Sequence, residues 1–268
     1  MRDELSTSRS AGRKSGRPPI GGVRFFFVLL LLSGAVNAVD YAPLQKATRL
    51  AQAGAPQLAL SVLDRSQPIA ADDPEAWIAW QRRRAAILGR QKAWEDLAAE
   101  LAVVPDVLPA TFKSWAAIER VKALLRAEQA AAARRDLAGL IWRGEGSAEE
   151  LQRWRELVIR SYIVEGRSED AYAAMLRHRQ DYGDGGTEDA ILRARVLLGS
   201  GRPGHAAAEL LTRIENSTAQ ALLAFARLRD GAKPGPIAAE AARQLGHEGI
   251  DDEAVLYWRG VGIATAAA

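Results

Sequence analysis

Few side chains in this 268-residue sequence are spaced for chemistry. The three histidines, His178, His205 and His247, stand 27 and 42 residues apart. A helical metal site needs two ligands three or four residues apart, so these histidines are read as solvent-facing or structural, and no metal is expected. Cysteine is absent, which removes disulfides, thiol nucleophiles and thiolate ligands. Gly199-Ser200-Gly201 has the outline of a nucleophile elbow, but a helical run precedes it where an elbow needs a strand, so it is read as a helix stop. Asp181, Asp184, Glu188 and Asp189 crowd a glycine-rich loop, yet glycines at 183 and 185 break the alternate-residue ligand spacing of a calcium loop. They read as loop and helix-start acids. No catalytic residues, no cofactor and no enzymatic activity are expected.

Arginine supplies the one pattern with chemical meaning. Arg83, Arg160, Arg195 and Arg229 each stand six residues ahead of a glycine that ends a helical run, with Arg82, Arg120, Arg193 and Arg227 close behind them. A column of guanidinium groups on successive helices would take carboxylates through charge-assisted, bidentate hydrogen bonds. Arginine also forms i,i+4 pairs on solvated helices, so a binding column and an ordinary polar face both remain open.

The elements that would carry such a column are helices throughout. Ala, Leu, Arg and Glu dominate, and aromatic residues make up 6% of the chain. Tyr41–Ala53 places Leu44, Ala47, Leu50 and Ala51 at helical spacing before Gly54, and Pro56 opens a second run through Leu63. Asp73-Pro74-Glu75 starts another helix with a cap and an N1 proline, and Ser147 with Glu150 forms a capping-box pattern. Ser168, Thr187, Asn216 and Asp251 are further candidate caps. Six turns, at Gly54, Gly89, Ala127, Gly166, Gly201 and Gly235, recur at spacings of 35, 38, 39, 35 and 34 residues. An alanine follows five residues after four of them (Ala59, Ala132, Ala171, Ala206), and a bulky apolar residue such as Leu63, Met175 or Leu210 comes four later. The small residue lets two helices approach closely, and the large one fills their crossing. Seven tryptophans are read mainly as packing anchors between units, although one exposed in a groove would be a binding hot spot.

Helix–turn–helix content repeating at about 34 residues resembles the tetratricopeptide (TPR) family, as Gly166/Ala171/Met175 and Gly201/Ala206/Leu210 illustrate. The resemblance spans roughly residues 41–265 and is degenerate, since Trp94 and Glu240 occupy the alanine position after Gly89 and Gly235. It implies an all-α fold, a right-handed α-α superhelix (TPR-like solenoid) of about six helix pairs with a concave groove, and no chemistry of its own. It also implies that the arginine column faces that groove, where a protein or peptide partner would bind. A coarser resemblance is to the helical superhelix of soluble lytic transglycosylases, without their catalytic domain. It implies the alternative of a non-catalytic cell-wall component that contacts peptidoglycan or supports a murein enzyme.

Residues 1–38 are read as a secretory signal peptide and 39–268 as the helical repeat domain. A polar, basic segment precedes the apolar run Phe25–Leu32, and Val36 and Ala38 fit the small-residue positions before a cleavage site. Cleavage after Ala38 would leave a periplasmic or secreted protein; an uncleaved signal would anchor it to the membrane instead. Six of the 36 Lys and Arg residues and two of the 33 Asp and Glu residues lie in the leader, leaving 30 and 31. The net charge of the mature chain is therefore −1 rather than +3, and no nucleic-acid partner is expected.

Overall fold

A computed structural model describes residues 40–144, 146–210, 215–247, 249, 250 and 252–268. The signal peptide with its cleavage site at Ala38, the candidate cap Asp251, and Leu211 and Ile214 of the fifth hairpin lie outside the described residues. Among those described there are thirteen α-helices and no strand. The first six are α1 (Ala42–Gln52), α2 (Pro56–Arg65), α3 (Pro74–Arg90), α4 (Trp94–Glu100), α5 (Ala110–Arg126) and α6 (Ala130–Arg143). After them come α7 (Ala148–Val164), α8 (Ser168–Tyr182), α9 (Thr187–Gly199), α10 (Pro203–Leu210), α11 (Ser217–Arg229), α12 (Pro234–Leu245) and α13 (Asp252–Ala266). Each helix packs on the next in sequence, and α5 on α7, α7 on α9, α9 on α11 and α11 on α13. No described helix is long and apolar enough to cross a membrane.

Side-chain caps set several of the starts. Asp73 accepts from the Ala76 amide at 2.8 Å, Asn216 accepts from the Ala219 amide at 3.0 Å, and Ser147 and Glu150 complete a reciprocal capping box. Ser168 and Thr187 do not cap; each is the first residue inside its helix, behind Arg167 and Gly186.

The turns inside the hairpins share one hydrogen-bonding scheme. In six of them a single residue is left-handed: Gly54, Lys92, Glu128, Gly166, Gly201 and Gly231, with φ from 57 to 92°. The next amide then donates to the carbonyl five residues back, as from Ala55 to Leu50, Ala93 to Leu88, Gln129 to Leu124, Arg167 to Tyr162, Arg202 to Leu197 and Ala232 to Arg227, all at 2.8–3.0 Å. This is the Schellman closure, which satisfies carbonyls that a helix end otherwise leaves open. The repeat therefore has a different register from the sequence-based one. Gly89 lies inside α3, Ala127 precedes the true turn residue, and Gly235 lies inside α12.

In the corrected register the packing repeats closely. Five residues after the left-handed position come Ala59, Leu97, Ala133, Ala171 and Ala206, all buried, so the alanine of the third hairpin is Ala133 rather than Ala132. Nine residues after it come Leu63, Leu101, Leu137, Met175 and Leu210, again all buried. The sixth hairpin carries Ile237 and Ala241 one residue later. Each large apolar side chain buried at a crossing contributes about 1.5–3 kcal/mol.

Three hairpins carry a second repeated contact. Arg84, Arg120 and Arg193, eight residues before the left-handed position, reach Glu100, Asp136 and Glu209, eight residues after it. Arg84 and Arg193 are each 5% exposed. Arg84 also bonds Asp64 at 2.7 Å and Gln67 at 3.1 Å, and Arg193 bonds Asp189 at 2.7 Å and Asp184 at 3.2 Å. In the fourth hairpin the corresponding residues are Val158 and Ala174, a pair that needs no charge compensation. The last helix is docked: Trp258 is 1% exposed, and its indole faces the Ser217 hydroxyl at 3.4 Å.

Lys92 and Glu128 hold a conformation that disfavours a side chain. Lys92→Gly and Glu128→Gly should each stabilise the fold by about 0.5–1 kcal/mol, and Gly166→Ala should destabilise it by about 1 kcal/mol, as shifts in urea midpoint. A Cβ at Gly166 meets nothing within 4 Å, so that loss would be a backbone effect alone.

Candidate functional site

A groove of about 990 Å³ runs between α5 and α7 and ends against Arg195 of α9. Helical spacing builds it. On α7, Arg153, Leu157, Arg160 and Val164 recur every three or four residues and so share one face. Trp115, Ile118, Trp154, Leu157 and Ile163 supply an apolar lining, and Lys122, Arg126, Arg153, Arg160 and Arg195 surround it with five basic groups. Three carboxylates, Glu119, Glu150 and Glu156, oppose them. Glu119 pairs with Lys122 at 2.7 Å, and Glu150 is held by the Ser147 amide at 2.8 Å. Trp154 is buried and Trp115 half-buried, the latter with Arg82 over its ring at 5.3 Å. Arg126 in turn lies over Trp94 at 4.6 Å.

The structure brings together two of the four arginines of the column. Arg160 and Arg195 both line the groove, each six residues before a true left-handed residue. Arg83 stands nine residues before Lys92, half-buried on α3, and Arg229 two residues before Gly231, exposed at the end of α11 over the Phe225 ring. Neither lines the groove. Arg120 and Arg193 belong to the ion pairs within their hairpins.

Arg160 and Arg195 differ in occupation. Arg160 has no carboxylate within ion-pair distance among the described residues, although its charge acts on Glu156 one turn back. Arg195 bonds Glu253 of α13 and lies 4.9 Å from the Tyr257 ring, while its buried Nε has no hydrogen-bond partner. Burial pushes the Tyr257 hydroxyl above its usual value, against the lowering effect of Arg195. Arg195 therefore ties α9 to the last helix as well as facing the groove, and replacing it would loosen α13.

Behind the groove lies a cluster that sequence reasoning missed. His178 of α8 is 3% exposed, with Nε2 at 3.9 Å from Glu156 and Nδ1 at 3.9 Å from Asp189. Nε2 has no hydrogen-bond partner. Asp189 turns its other oxygen to the Gly185 amide at 2.9 Å and to Arg193 at 2.7 Å. A Cβ at Gly185 would stand 2.6 Å from Asp189, so this approach requires glycine. Asp184 serves Arg179 at 3.0 Å and Arg193, and Asp181 pairs with Arg155 at 3.2 Å, so the acids of this loop serve as ion-pair partners. Ser200 returns its hydroxyl to the Val196 carbonyl at 2.8 Å, as a helix end does. The only hint of the His178 cluster in the sequence is that Asp189 and Arg193 stand four apart.

The chain matches no protein-family model, no curated protein and no solved structure.

Glu156 is the strained member of the groove. Burial raises its carboxyl above the usual 4.5, and His178 and Arg160 counter this only in part. A carboxyl raised on folding binds its proton more tightly in the folded state. The cost of its charge is absent below the unfolded pKa and grows as pH rises through the folded one. Glu156→Gln should therefore raise the melting temperature at pH 7 and leave it unchanged near pH 4. A gain of equal size at both pH values would contradict the assignment.

Proposed function

We propose that this chain is an exported, non-catalytic scaffold that binds proteins or peptides. In this reading the helices form a TPR-like, right-handed superhelix of about six pairs, and the signal is removed after Ala38 to leave a periplasmic or secreted protein. The α5–α7 groove takes an acidic, partly apolar segment of the partner. The observation that carries the reading is a cation without an ion pair at an apolar groove: among the described residues no carboxylate lies within ion-pair distance of Arg160, which stands beside Leu157 and Ile163. A carboxylate bound there gains a charge-assisted hydrogen bond, and a neighbouring leucine side chain gains burial against Trp115 and Ile118. The four-arginine ladder is thus reduced to the pair Arg160 and Arg195.

The test is fluorescence anisotropy with a labelled peptide of alternating Leu, Asp and Glu. Arg160→Ala should weaken its binding about tenfold with only the small fall in melting temperature that the lost attraction to Glu156 brings, and added salt should weaken wild-type binding too. Equal affinity for wild type and Arg160→Ala would overturn the groove assignment. Retention on purified sacculi without peptide binding would point to the cell-wall alternative.

A further inference from the structure

His178 sits where the neutral form of its ring is poorly served. A neutral imidazole has one N–H donor and one lone pair, yet both nitrogens face carboxylate oxygens at 3.9 Å. Whichever tautomer forms, one lone pair points at an acid. Only the imidazolium can donate on both sides, to Glu156 on α7 and to Asp189 on α9.

The surrounding charges make Glu156 the group able to respond. Asp189 is fixed by Arg193 and by the Gly185 amide. Asp184 and Glu209 are shared between Arg179 and Arg193, which close those charges among themselves. Tyr182 packs on the ring from the same helix, at 4.9 Å between centroids. Glu156 alone has no arginine or lysine within ion-pair distance among the described residues; its one ion-pair contact is His178. Its carboxylate lines the groove, and the charges of Arg160 and Arg153 also act on it.

We propose that His178 gates the groove by proton. Protonated, the imidazole draws the Glu156 carboxylate back onto Nε2 and leaves Arg160 free for an acidic partner. Neutral, it leaves Glu156 in the groove as an internal competitor for Arg160. Closing 3.9 Å to a charge-assisted bond of about 2.8 Å needs a movement of about 1 Å, within reach of a glutamate rotamer. The gate adds one positive charge behind the groove at the same time, so both effects act in one direction. The proposal regulates the site assigned above and rests on that reading for its effect on binding, but the movement of Glu156 does not depend on any ligand.

Two measurements on the full mature chain separate the gate from the binding function. The first is the affinity of the Leu/Asp/Glu peptide at pH 7.5 and 5.5, where its own carboxylates stay ionised. Wild type should bind about tenfold more tightly at pH 5.5, the factor expected of one charge-assisted hydrogen bond. His178→Gln should remove this pH dependence, and Glu156→Gln should bind tightly at both values. The same pH dependence in either variant overturns the proposal. The second measurement is carbon NMR of the glutamate carboxyls as pH falls from 8 to 5. Besides the step of its own protonation, the Glu156 resonance should show in wild type a second step that tracks the ring-carbon shifts of His178, and lose that second step in His178→Gln. If no peptide binds, this titration decides alone: a second step that survives in His178→Gln, or its absence from wild type, overturns the gate. Glu156→Gln changes a partly exposed side chain, so it keeps the test open if His178→Gln does not fold.

Discussion

The reversal of the chain at one left-handed residue is the constraint on which the rest depends. It closes the first helix by the Schellman pair of hydrogen bonds and aims the second helix back along it. Once that residue is placed, the side chains five and nine positions later must meet the first helix. Ala59, Ala133, Ala171 and Ala206 let the two helices approach there, and Leu63, Leu137, Met175 and Leu210 fill the crossing. A hairpin so built still has an apolar flank to cover, and the next hairpin covers it. Clusters around Trp80, Phe112, Leu192 and Trp258 follow one another along the chain for this reason.

Charge is handled differently inside the hairpins and along the groove. Arg84 and Arg193 are buried, and each collects more than one acidic partner, because a guanidinium removed from water without compensation would destabilise the fold strongly. Such networks are closed and leave no charge for a ligand. Arg160 is the reverse case, a cation on an apolar wall with no ion pair among the described residues. Arg195 stands between the two, with Glu253 and Tyr257 engaged and Nε unsatisfied.

Much of the fold was legible because glycine marks four of the six left-handed positions, and the sequence spacing picks out three of them, Gly54, Gly166 and Gly201. The register slipped where Lys92 and Glu128 adopt that conformation, since neither residue type announces it and nearby Gly89 and Ala127 fit the spacing. That slip created the column of four arginines: Arg83 entered it by being counted from Gly89, and Arg229 by being counted from Gly235. Arg160 and Arg195 keep their place six residues before a left-handed glycine. His178 was illegible for a different reason. It stands in the polar run Arg177-His178-Arg179-Gln180, and only tertiary packing of α7 and α9 against α8 makes it the buried member. Glu156 is one acid among many until Arg160 on one side and His178 on the other give it a place.

The central claim is that an acidic segment is received in the α5–α7 groove and not elsewhere on the helical array. The tryptophans report on this directly, because Trp115 lines the groove while Trp142, 92% exposed on α6, does not. The decisive measurement is the indole 15N–H spectrum of the protein during titration with the Leu/Asp/Glu peptide. The account predicts a saturable shift of the Trp115 resonance, and of Trp154 beside it, while Trp142 and Trp80 stay in place. A shift at Trp142 with Trp115 unmoved would contradict it.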